Sequence, residues 1–153
     1  MALRILTKIQ LALLNQMLKK GLVNNEFEHL MIAKRAQNPQ FVIQTIEEYG
    51  AEVEAIMSQM KNDIDIPDVD FSHLVALCDL VREKSTRIGA AQVNSACMLL
   101  VRACEQRNKK KFSQTLELLR NDFSTTQSQL EGYARMERRI IIVQRGQVGS
   151  SSS

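Results

Sequence analysis

Apolar residues recur along this chain at intervals of three and four, the spacing of one face of an α-helix, and six such runs follow one another. The first, about residues 3 to 20, sets Ile5, Ile9, Leu13 and Met17 at four-residue steps and is closed by Gly21. A second begins at Asn25, where Asn25 and Glu28 form a capping-box pattern. It runs to about Arg35 with Phe27, Leu30 and Ile32 apolar, and Ala36-Gln37 follows as a loop. Asn38-Pro39 reads as a cap with proline at the first helical position. The third helix then carries Val42, Ile46, Tyr49, Val53, Ile56 and Met60 on one seam, and six apolar positions in a row belong in the core of an antiparallel bundle.

Residues 62–70 hold four Asp and Pro67 and should break that helix. They lack the central Gly and closing Glu of a Ca²⁺-binding loop, so they read as an acidic turn. A fourth helix places Phe71, Leu74, Val75, Cys78 and Val81 on one face, with Asp68 or Asp70 as its cap. The fifth carries Val93, Cys97, Leu100 and Cys104. The sixth, about residues 110 to 144, repeats Leu116, Leu119, Phe123, Thr126, Leu130, Tyr133, Glu137 and Ile140, six of the eight apolar. The expected fold is all-α, a bundle of about six helices with an antiparallel four-helix core. It forms a single domain over residues 1–145, and residues 146–153 follow as a Gly/Ser-rich tail expected to be disordered.

Composition narrows the function. A chain of 153 residues suits one domain, and two Pro with six Gly leave too little turn chemistry for an all-β fold. The net charge of +3 arises from 20 basic and 17 acidic residues that are mostly interspersed. Lys109-Lys110-Lys111 is the densest basic run. No aromatic residue is interleaved with it, so it reads as a solvated helix start and no nucleic-acid partner is expected. Three cysteines, odd in number and without Cys-x-x-Cys or Cys/His spacing, point to reduced thiols and to no metal or other cofactor. No apolar run approaches the roughly 20 residues that span a bilayer, and no signal-peptide cleavage pattern stands at the start. A soluble intracellular protein with no membrane partner is expected.

One segment suggests a family. DLVREKSTRIGA at 79–90, SACMLLVRACEQRN at 95–108 and NPQFV at 38–42 resemble, in register and without a gap, the plant histidine-containing phosphotransfer proteins, whose motif is close to HQLKGSSSSIGA. The likeness runs from about Leu11 to about Ile140. It places Asp79 at the phosphoryl-accepting histidine, Arg82 at the lysine and Glu83 at the small glycine. It therefore implies a pseudo-phosphotransfer protein, not an enzyme and without a catalytic residue. Such a protein docks on receiver domains of hybrid histidine kinases or response regulators through Ala76, Asp79, Arg82, Glu83, Lys84 and Arg87. The resemblance further implies negative modulation of cytokinin signalling, a cytoplasmic and nuclear location and a monomer. By helical spacing Asp79 should lie a quarter-turn from the apolar face, at the solvent border and beside Arg82, while His73 lies about 120° away on the same helix. His29 is near the cap of the second helix. Two alternatives stand beside this one: an active phosphorelay carrier using another acceptor, and a helical scaffold in which the motif serves only as a helix junction.

Overall fold

Among the residues described by the computed structural model, 1–151 with side chains through 147, there are six helices and no strand. They are α1 (Ala2–Lys19), α2 (Asn25–Gln37), α3 (Gln40–Ile64), α4 (Phe71–Ile88), α5 (Ala91–Glu105) and α6 (Lys109–Ser151). Short connections make α3, α4, α5 and α6 antiparallel in turn. Contacts of α3 with α4, α4 with α5, α5 with α6 and α6 with α3 close them into the expected four-helix core. α1 lies along α6, and α2 lies against α3 and α4.

The α6 seam is buried at all eight expected positions, including the two polar ones, Thr126 and Glu137. Five of the six α3 positions are buried; the sixth place is taken by Met57, with Ile56 half-buried beside it. α3 also outlasts the expected break at residue 62, because Ile64 keeps the stripe and is itself buried. The acidic turn starts after it, and Asp70 caps α4 by accepting from the His73 N–H at 3.1 Å.

At α2 the cap is Asn24, one residue before the expected Asn25, and its side chain accepts from the Glu26 N–H at 3.0 Å. The helix continues through Ala36-Gln37, and its buried residues are Phe27 and Met31, whereas Ile32 is exposed. Pro39 already has helical dihedrals, and Asn38 accepts from the Gln40 N–H at 3.0 Å, as a cap before an N1 proline should. The stretch 146–153, expected to be a disordered tail, continues α6 through Ser151. Adding a turn to an existing helix avoids the unfavourable step of nucleating one. Residues 152–153 lie outside the described residues.

The largest departure is in α1. Ile5 and Ile9 are exposed, and the inner face is Gln10, Leu14 and Met17. Strict four-residue steps drift by about 40° each around a helix, and a polar residue occupies the true face. Gln10 is accommodated because its amide donates to Glu137 Oε1 at 2.9 Å. Glu137, only 1% exposed, also receives Arg35 Nη2 at 2.6 Å and Arg35 Nε at 3.0 and 3.1 Å, while Arg35 Nη2 reaches the Tyr133 hydroxyl at 2.8 Å. The Glu137 hydrogen bonds hold the Arg35 guanidinium well above its ordinary range despite partial burial.

Removing Arg35 strands a buried carboxylate, whereas amidating Glu137 keeps hydrogen-bonding capacity and frees a guanidinium that can reach water. Arg35→Met is expected to cost about 3 kcal/mol and Glu137→Gln about 1–2 kcal/mol in urea unfolding. Equal costs would refute this ordering.

Candidate functional site

The outer face of α4 is built by its own pattern. Leu74, Leu77, Cys78, Val81, Ser85 and Ile88 point into the bundle. Because Leu77 and Ile88 belong to the buried stripe while Phe71 and Val75 are only half-buried, its centre is shifted from the expected one. Asp79 therefore lies about 150° from it, not a quarter-turn, and is 59% exposed.

Around Asp79 the other five expected residues divide. Ala76, Glu83 and Arg87 share its exposed face, and Arg87 Nη2 meets Glu83 Oε1 at 3.1 Å, one turn apart. Arg82 is half-buried beside α5, with Nη1 3.8 Å from Asp79 Oδ1, a loose pair, and with a buried Nε that has no hydrogen-bond partner. Lys84 leaves the group: its ammonium is 2.7 Å from Glu52 on α3. Glu52 was missed in the sequence, since nothing local in residues 40–64 says which surface carboxylate will face α4. The same holds for the buried bond between the Tyr49 and Ser85 hydroxyls at 2.8 Å, which pins α4 to α3 within the core. Burial pushes the Tyr49 phenol up, so it stays a neutral hydrogen-bonding group.

The two histidines lie away from Asp79. His73 Nε2 is 3.0 Å from Asp63 Oδ2 at the end of α3, and His29 is exposed on α2. Among the described residues no group of three or more His, Cys, Asp or Glu is placed to hold a metal ion. The three cysteines are buried and free; burial pushes Cys97 up to about 12, and a hydrogen bond with Cys104 together with burial raises Cys78, so both remain thiols.

The α4–α5 junction explains the Ile88-Gly89-Ala90 signature in physical terms. Ile88 and Ala90 are buried, and Gly89 ends α4 with φ +82°, a left-handed conformation that glycine adopts without strain. Gly89 O accepts from the Asn24 N–H at 2.9 Å, so the start of α2 packs directly on the turn. A Cβ at Gly89 would collide with the Phe27 backbone nitrogen and the Asn24 side chain.

No family model matches the chain. It is 26% identical over 140 residues to histidine-containing phosphotransfer protein 1 of rice (Oryza sativa subsp. japonica), covering 92% of this chain and 95% of that one. To the rice pseudo histidine-containing phosphotransfer protein 2 it is 21% identical over 121 residues, 79% of this chain and 80% of that one. The crystal structure of a maize histidine-containing phosphotransfer protein superposes with a TM-score of 0.82 at 26% identity, over 88% of this chain and 99% of that one.

Gly89→Ala combines left-handed strain with that collision and is expected to cost about 2 kcal/mol or more. A urea midpoint unchanged from wild type would contradict the reading of this turn.

Proposed function

We propose, from the support that homologues and solved structures give to the plant histidine-containing phosphotransfer family, that this chain docks on receiver domains without accepting phosphate. The observation that carries the reading is Asp79 on the open face of α4. In an active carrier a neutral imidazole nitrogen attacks the phosphorus of a receiver's acyl phosphate, and the aspartyl oxygen leaves. An imidazole with a reference pKa of about 6.5 has a lone pair free for this at cytoplasmic pH; a carboxylate with a reference pKa of about 3.9 is an anion facing an anion. Carboxylates that do carry phosphate rely on a metal or a cationic clamp. Among the described residues the cation paired with Asp79 is Arg82, loosely at 3.8 Å, and Glu83 adds a second carboxylate one turn on.

Docking has separate support. Ala76, Asp79, Glu83 and Arg87 form an open face flanked by Arg82 and Lys84, and its three cations, paired within the chain to Asp79, Glu83 and Glu52, can re-pair with the acidic pocket of a receiver. A chain of this kind competes with active carriers for receivers of hybrid histidine kinases and response regulators, and so lowers cytokinin output in the cytoplasm and nucleus. It acts as a monomer and performs no catalysis.

The second reading, an active carrier, would need His73, the half-exposed imidazole on α4. Incubation with a phosphorylated receiver separates the two. Wild type is expected to take no acid-labile phosphate, and Asp79→His with Glu83→Gly to gain it. Phosphate on wild type that disappears in His73→Ala would establish the second reading.

Docking should also depend on Mg²⁺, because the metal in a receiver pocket offsets repulsion from Asp79. The complex is expected to weaken at least several-fold in chelator by calorimetry, and equal affinities would remove Asp79 from the pocket.

A further inference from the structure

We propose that the outer face formed by the start of α1 and the end of α6 binds anionic lipid surfaces peripherally. Turning Gln10 inward to Glu137 leaves Ile5 and Ile9 on the outside of α1, 55% and 43% exposed, and Ile142 stands across from them on α6 at 62%. Between Ile5 and Ile142 runs a shallow, mainly apolar trough of about 390 Å³ lined also by Ala2, Leu6, Val143 and Arg139. The aliphatic groups thus project from two helix ridges with an apolar floor behind them.

The charge around them is one-sided. Residues 1–20 and 132–147 contain eight of the 20 basic residues, among them the exposed Arg4, Lys8, Arg139 and Arg145, and one of the 17 acidic ones. That one is Glu137, buried and already paired with Arg35. The rest of the chain then holds 12 basic against 16 acidic residues, so the net positive charge lies on these two segments. Among the described residues Arg138 is the one cation of these segments that pairs with a carboxylate, Glu47 on α3 at 3.0 Å.

A second copy of this face is a poor occupant, since pairing it with itself would set like charges together. The projecting aliphatic groups and the spread of cations, with no exposed carboxylate in either segment, fit a soft and diffusely anionic surface better than a partner making discrete pairs. Basic residues beside an apolar helical stripe are the pattern of helices that lie in a lipid interface, each cation adding attraction to acidic headgroups. Among the described residues no helix is long and apolar enough to cross a membrane, and the binding proposed is to the headgroup region only. It goes beyond the expectation of no membrane partner, which rested on the lack of a spanning segment.

Vesicle sedimentation tests this with the whole chain. Wild type is expected to pellet with phosphatidylcholine vesicles containing about 30% phosphatidylserine, to remain in solution with phosphatidylcholine alone, and to be released by about 0.5 M salt. Ile5→Ser with Ile142→Ser, and separately Lys8→Glu with Arg139→Glu, are each expected to lower partition about tenfold or more, at exposed positions that leave helicity by circular dichroism unchanged. Failure of wild type to pellet, equal pelleting with neutral vesicles, or wild-type partition in both folded double variants overturns the proposal. Failure to pellet would leave the face to an acidic protein partner. The wild-type comparison of the two lipids decides the matter even if a variant does not fold.

Discussion

The orientation of the outer helices depends on one buried carboxylate. Glu137 sits among apolar side chains at 1% exposure and is tolerable there only because Arg35 and Gln10 supply donors to it. Each donor comes from a different helix, so a single charge on α6 sets the rotation of α1 and the seat of α2. Phe27 of α2 then meets Tyr133 of α6 edge to face at 5.2 Å, and the start of α2 covers the α4–α5 turn. A purely apolar seam at this level would tolerate several rotations of α1. The directional bonds to Glu137 select the one that leaves Ile5 and Ile9 outside.

This also separates what was legible in the sequence from what was not. Periodicity located all six helices, because each buries an apolar stripe and the stripes of α3, α5 and α6 are nearly free of polar interruptions. It failed at α1 and at the end of α2, where the inner face contains Gln10 and Arg35 and where Ile5, Ile9 and Ile32 imitate a core they do not join. A buried polar residue is readable only together with its partner, and Glu137 is 127 residues from Gln10 and 102 from Arg35. The face of α4 was legible in outline but displaced, since Leu77 and Ile88 move the buried centre. The tie from Lys84 to Glu52 and the Tyr49–Ser85 bond depend on how α3 and α4 are rotated against each other, which neither segment specifies alone.

The residues that carry the family resemblance do two different kinds of work. Ile88, Gly89 and Ala90 form a turn whose backbone conformation and close contact with α2 leave no room for a side chain. Their likeness to the phosphotransfer motif reflects bundle geometry, and it would persist in any chain that joins α4 to α5 and α2 in this way. Asp79 and Glu83 are exposed and take no part in that packing. Surface substitutions of this sort usually change stability by less than about 0.5 kcal/mol. The fold therefore places little constraint on whether position 79 is an imidazole or a carboxylate. Under the proposed function a phosphoryl acceptor is absent from this bundle while the surface offered to a receiver is kept, which is physically consistent because acceptance depends on one lone pair and docking on the shape and charge of a whole helix face.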